Sequence, residues 1–298
     1  MCSSDLLKGY TRGARTMILA QRPAPIQVNY LGYPSTMGAP FIDYIIADPF
    51  IAPMDHQRFF DEKIVHLPDC YQPNDRQRRT AATVRTRADC GLPQDGFVFC
   101  AFNNVYKITA GIFGIWMRLL GAVPGSVLWL LDANDFAKAN LRREAAARGI
   151  DPARLVFAAK LRIAEHQARY ALADLFLDNL PINAHTTASE ALWTGLPVVT
   201  CAGEVFVGRV AGSLLHACGL PELVTHTLAD YEALAMRLAT DPALLAGLRE
   251  RLQRTRLTAP LFDIERYARS LDAAFTYMVR LYERGCPATA FAVAELAG

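Results

Sequence analysis

The chain has 298 residues, 52% of them hydrophobic, enough to bury one large core or two of roughly 100–200 residues. Its formal net charge is +2 and no long basic run is interleaved with aromatics, which argues against a nucleic-acid partner. The short basic patch Arg76-Gln77-Arg78-Arg79 reads as a solvated linker.

In chain order, residues 26–31 and 44–47 are predicted strands flanking the loop 32–38, and residues 63–67 form a third strand ahead of Pro68. Residues 71–94 are rich in Arg, Thr, Asp and Pro without a periodic apolar face, and read as a linker. From residue 97 the pattern is regular. Strands are predicted at 97–101, 126–131, 155–157, 174–178, 195–200 and 223–224, and helices at 108–120, 136–148, 164–173, 188–193 and 205–218. Helical stretches near 231–238, 243–255 and 264–284 follow, the last long enough to reach back across another domain. Apolar strands alternating with helices of about 10–15 residues imply βαβ units and a parallel sheet, so the fold class is α/β. The first segment holds too few strands for a complete doubly wound domain, and a missing N-terminal portion is expected.

The cysteines Cys2, Cys70, Cys90, Cys100, Cys201, Cys218 and Cys286 are scattered, odd in number and without CxxC or His/Cys metal spacing. Neither a disulfide framework nor a metal site is indicated. No signal peptide is evident, and no apolar run approaches the roughly 20 residues that span a bilayer; residues 111–123 are too short and broken by Arg118. A cytoplasmic protein with no membrane partner is expected.

The segment 174–200 carries the chemistry. A buried strand, the polar loop 181–187, a helix and a second buried strand place His185, Thr186 and Thr187 where the helix begins. A helix N-terminus offers unpaired N–H groups and partial positive charge, and in open α/β sheets ligands sit at the carboxyl ends of strands. A nucleotide or nucleotide-sugar site is the functional reading. Capping is the structural one: Thr187 as N-cap with Glu190 at N3 fits a capping box, and a lone His beside a core is more often a hydrogen-bonding strut than a catalyst. Capping does not account for His185 and Thr186.

The runs Gly9-Tyr10-Thr11-Arg12-Gly13-Ala14-Arg15, Arg22-Pro23-Ala24-Pro25-Ile26-Gln27, Leu31-Gly32-Tyr33-Pro34-Ser35-Thr36-Met37-Gly38 and Asp43-Tyr44-Ile45-Ile46 resemble the catalytic region of protein O-GlcNAc transferases, glycosyltransferase family 41. So do Phe102-Asn103-Asn104-Val105-Tyr106-Lys107-Ile108, Ser126-Val127-Leu128-Trp129-Leu130-Leu131, His185-Thr186-Thr187 and Pro260-Leu261-Phe262, in order from about Gly9 to Glu283. The resemblance implies a GT-B fold: a complete C-terminal Rossmann-like parallel-sheet domain and a partial N-terminal one. The division it implies is an acceptor-side remnant over 1–70, a linker over 71–95, a UDP-sugar domain over 96–260, and a C-terminal helix over 261–298 packing back on the first part. It implies a metal-independent, inverting transfer of GlcNAc from UDP-GlcNAc to Ser or Thr of a protein acceptor, with no cofactor.

By the same resemblance, Lys107 contacts the UDP diphosphate and stabilises the leaving phosphate, and His185, Thr186 and Thr187 cradle the phosphates. Lys107 and His185 are thus the expected catalytic residues. Glu190 falls where the family has an acidic residue on the ribose, and His166 and Arg169 match residues lining the uracil pocket; three apart on one helix face, these two also read as ordinary solvated side chains. The chain departs from the family in having Asn104 where a diphosphate-side Gln stands and Ile163 where animal enzymes have a Lys. No histidine precedes the Gly-Tyr-Thr run and no 34-residue repeat is present, although family members often carry tetratricopeptide repeats in front. Two alternatives remain open: a UDP-glucose-dependent protein Asn glucosyltransferase, and a UDP-binding but silent fragment. A dinucleotide-dependent oxidoreductase is disfavoured, because no GxGxxG follows a predicted strand.

Overall fold

The computed structural model describes residues 9–78, 81 and 85–294. In chain order these form α1 (Thr16–Ala20), β1 (Val28–Asn29), β2 (Tyr44–Ala47), β3 (Lys63–His66), β4 (Val98–Ala101), α2 (Ala110–Ala122), β5 (Val127–Leu131) and α3 (Asp135–Ala146). There follow β6 (Leu155–Ala158), α4 (Ile163–Arg169), β7 (Leu175–Leu177), α5 (Thr186–Trp193), β8 (Val198–Cys201), α6 (Val210–Ala217) and β9 (Val224–Thr225). The chain closes with α7 (Leu228–Thr240), α8 (Pro242–Thr255), α9 (Ile264–Glu283) and β10 (Phe291–Ala292). Two compact units result, one from Met1–Arg76, Val205–Val207 and Thr258–Gly298, the other from Gln77–Glu204 and Gly208–Leu257.

The first unit holds a parallel sheet in the order β1-β2-β3-β10. Every residue of β2 is buried, the signature of a parallel strand covered on both faces. Val28, Tyr44, Ile46 and Val65 of the sheet pack with Ala274 and Met278 of α9, so the long C-terminal helix completes this core. A smaller cluster of Leu19, Met37, Ala39 and Ile42 sits beside the loop 31–38. Glu62, fully buried, pins that loop by accepting from the Thr36 hydroxyl and, at 2.6 Å, from the Met37 N–H. Tyr10 donates its hydroxyl to the Met37 carbonyl at 2.7 Å. Gly9 has φ +46, and a Cβ there would lie 2.2 Å from the Tyr33 side chain, so this close approach requires glycine.

The second unit is doubly wound. Its six-stranded sheet runs β6-β5-β4-β7-β8-β9, all pairs parallel. Order reverses between β4 and β7, so the loops leaving these two strands diverge and open a crevice at their carboxyl ends.

Several expected boundaries move. The strand expected at 26–31 shrinks to β1, and Leu31 turns at φ +65. The helix expected at 205–218 is a 3-10 turn, Phe206–Gly208, followed by α6, because the Gly203 N–H closes on the Gly208 carbonyl at 2.7 Å. The helix expected at 164–173 ends as α4, with a 3-10 turn over Tyr170–Leu172. Part of the expected linker is docked rather than solvated: Arg87 donates to the carbonyls of Leu172 and Gly96 and to the Asp174 carboxylate at 2.7–3.1 Å. In the basic patch, Arg76 pairs with Glu265 and Arg78 donates to Ser189 Oγ, while Arg79 lies outside the described residues.

Candidate active site

At the β4–β7 reversal, two asparagines bridge the diverging loops. Asn103, just past β4, donates from Nδ2 to Asn179 Oδ1 at 2.6 Å, and its own Oδ1 accepts the Thr187 hydroxyl at 2.8 Å. The start of α5 is thereby tied across the crevice to the end of β4. α5 begins at Thr186, with His185 as N-cap and no side-chain cap bond from it. The first-turn amides therefore carry their partial positive charge without cover from their own N-cap, a setting suited to an anion.

Lys107 lies in a 3-10 turn, Val105–Lys107, ahead of α2, whose N-cap is Thr109. Its ammonium donates to the Asn183 carbonyl at 2.9 Å, two residues before His185. Burial pushes the Lys107 pKa down, opposed by the nearby negative charge of Asp178. A half-desolvated ammonium gains stability when an anion arrives. Asp178, at the end of β7, accepts the N–H groups of Asn179 and Ala184 and the Thr200 hydroxyl at 2.6–2.7 Å. Burial nevertheless pushes its pKa up to about 7.

A second group flanks α5. Arg169 is buried, its guanidinium 4.6 Å from the Phe102 ring centroid, donating to the Ala159 carbonyl at 2.6 Å and to His166 Nδ1. His166 Nε2 lies 3.3 Å from the Tyr170 hydroxyl and 3.7 Å from Glu190 Oε2. Burial, reinforced by the Arg169 charge, lowers the His166 pKa to about 4, so the ring is neutral at pH 7 and accepts at Nδ1. Burial raises the Glu190 pKa, while the charge of Arg78 opposes it.

Comparison with known proteins decides the family. Residues 6–81 and 74–271 match the pattern of Glycosyl transferase family 41. The chain belongs to glycosyl transferase family 41. It is 40% identical over 295 residues to the probable UDP-N-acetylglucosamine–peptide N-acetylglucosaminyltransferase SEC of Arabidopsis thaliana, covering 97% of this chain and 30% of that one. With the Caenorhabditis elegans UDP-N-acetylglucosamine–peptide N-acetylglucosaminyltransferase it shares 30% identity over 392 residues, 94% of this chain and 34% of the relative. Among solved structures, a variant of the Thermobaculum terrenum O-GlcNAc transferase superposes with a TM-score of 0.81 at 32% identity, over 89% of this chain and 50% of that one. The fold is accordingly GT-B, and the family 41 chain spans about a third of the length of these two curated relatives.

In this family 41 chain, Lys107, His185, Thr186 and Thr187 come together at the sheet reversal, with Glu190, His166 and Arg169 alongside. The capping box does not form: α5 starts at Thr186, Thr187 bonds Asn103, and Glu190 faces His166 and Tyr170. Nor is Arg169 a solvated side chain; its fork is occupied by the Ala159 carbonyl and His166 Nδ1, so it orients the His166 ring. Asn104 is exposed at the start of the 3-10 turn and makes no side-chain cap, and Ile163 is 73% exposed as the first residue of α4. Asn103, Asp178, Asn179 and Tyr170 were missed by sequence reasoning. The first three lie within two residues of the end of a buried strand, a pattern shared by solvent-facing polar residues; nothing local marks Tyr170.

Proposed function

We propose that the chain is the catalytic portion of a protein O-GlcNAc transferase, moving GlcNAc from UDP-GlcNAc to Ser or Thr hydroxyls of proteins with inversion, within a longer repeat-containing chain of the cytoplasm. The observation that carries this is the meeting of the Lys107 ammonium and the start of α5 where β4 and β7 part. Both are positive, and a diphosphate matches them in charge. As the sugar C1–O bond to UDP breaks, negative charge grows on the leaving phosphate; a pre-placed ammonium and helix-end amides stabilise it without reorganising. The acceptor oxygen bonds C1 from the opposite face and releases its proton, and holding both partners in line supplies much of the remaining acceleration. Because Lys107 and the α5 amides provide the charge a metal would otherwise bring, the reaction is proposed to be metal-independent. His166, Glu190 and Tyr170, ordered by Arg169, are proposed to hold the nucleoside.

Asn104 and Ile163 leave room for a second reading, a UDP-glucose-dependent transfer to Asn, since Asn104 stands in place of the family's Gln and Ile163 in place of the Lys of animal enzymes. Release of UDP from UDP-GlcNAc and from UDP-glucose with Ser- and Asn-containing peptides separates the two. Turnover of UDP-GlcNAc onto the Ser peptide is expected. UDP binding without turnover of either donor would refute a transferase function for this chain.

A further inference from the structure

We propose that Asp178 is a positioning residue for the donor diphosphate: its carboxylate clamps both ends of the loop 179–184 and so sets the Lys107 ammonium against the first turn of α5. The inference rests on reading this loop as the phosphate site. Asp178 is 1% exposed. One oxygen, Oδ1, accepts the Asn179 N–H at 2.7 Å and the Ala184 N–H at 2.6 Å, so six residues close on a single atom. Oδ2 accepts the Thr200 hydroxyl of β8 at 2.6 Å. The backbone carbonyl accepts the Tyr231 hydroxyl of α7 at 3.0 Å, and Trp116 Nε1 of α2 donates to that hydroxyl at 3.1 Å. The clamp is thus anchored to three elements outside the loop, β8, α7 and α2.

What it clamps is the donor machinery. Lys107 reaches the loop at the Asn183 carbonyl, and Asn183 Nδ2 ties back to the Asn179 carbonyl at 2.8 Å. Ala184 lies two residues before Thr186, so the atom that fixes its amide fixes where α5 starts. Lys107 makes no direct bond to Asp178; the two opposite charges act on each other through this loop. A buried carboxylate without a directly bonded cation is costly, and the three donors, two on Oδ1 and one on Oδ2, offset part of that cost. Removing it frees both loop ends at once.

A clamp of this kind makes a prediction that a general structural strut does not: it alters the grip on phosphates and spares the nucleoside. UDP and uridine are titrated separately against the wild-type chain, Asp178→Ala, Asp178→Asn and Thr200→Val by ligand-observed NMR. Asp178→Ala is expected to weaken UDP at least about tenfold and to leave uridine within about twofold. Asp178→Asn keeps one oxygen for both amides and donates to Thr200, so UDP affinity within about threefold of wild type is expected. If Asp178→Ala does not fold, Thr200→Val carries the test, with a loss of several-fold for UDP and none for uridine. Wild-type UDP affinity in the alanine or valine variant, equal losses for UDP and uridine, or an asparagine variant as weak as the alanine one would overturn the clamp. A wild-type chain that does not bind UDP at all would instead refute the donor-site reading, and the clamp with it.

Discussion

Lys107 was singled out through the family resemblance, with its place before a helix as added support. A cation that precedes a helix is unfavourable unless an anion comes near, and the ammonium does turn from α2 toward the Asn183 carbonyl. Lys107→Ala is expected to lower kcat by about two to three orders of magnitude, the scale for losing one charge-stabilising group, with the melting temperature little changed. UDP release and a thermal melt check this; wild-type turnover would remove the leaving-group role. His185→Ala is expected to weaken UDP binding in a titration, and unchanged affinity would return His185 to a purely structural role. Asp178 and Asn103 were not legible as site residues. An acid or amide after an apolar strand has the same local appearance whether it faces solvent or clamps a loop, and the partners that decide it are remote: Thr200, Tyr231 and Asn179.

Strands and helices were legible wherever burial on both faces or a single apolar stripe left one periodic pattern, as in β2, β5, α8 and α9. Ends set by tertiary bonds were not. The interruption before α6 depends on Gly203 closing on Gly208, and the two-residue strand β10 exists through pairing with β3 more than two hundred residues earlier. The start of α5 shifted because Thr187 found Asn103 in place of its own helix amides. α7 contributes one such bond of larger consequence. Tyr231 accepts from Trp116 and donates to the Asp178 carbonyl in a fully buried setting. Tyr231→Phe leaves a buried N–H and a buried carbonyl without that partner, and a loss of about 1–3 kcal/mol is expected. Urea unfolding measures it, and an unchanged midpoint would show that these groups find other partners.

Two parallel sheets, each with its own core, and a family assignment were within reach of the sequence; the balance of buried charge that governs stability was not. His166 has a folded pKa of about 4 against an ordinary 6.5, so the stability it contributes is present above pH 6.5 and lost as pH falls toward and through 4. Asp178 has the opposite sign. Its folded value of about 7 lies above the ordinary 3.8, so the unfolded chain releases this proton first and stability declines as pH rises from about 4 to 7. Asp178→Asn removes only the second effect. Its melting temperature relative to wild type is expected to climb between pH 5 and pH 8, and a difference independent of pH would show that the carboxylate titrates normally. Among the described residues, no helix is long and apolar enough to cross a membrane, and no group of three or more His, Cys, Asp or Glu side chains could hold a metal ion. The proposed anion site at the sheet reversal consists of Lys107 and the first-turn amides of α5, and a crystal soaked with UDP tests it most directly. Phosphate oxygens within hydrogen-bonding distance of Lys107 Nζ and the first-turn amides of α5 are the predicted result. UDP bound elsewhere, with Lys107 still on the Asn183 carbonyl and no phosphate beside it, would contradict the account.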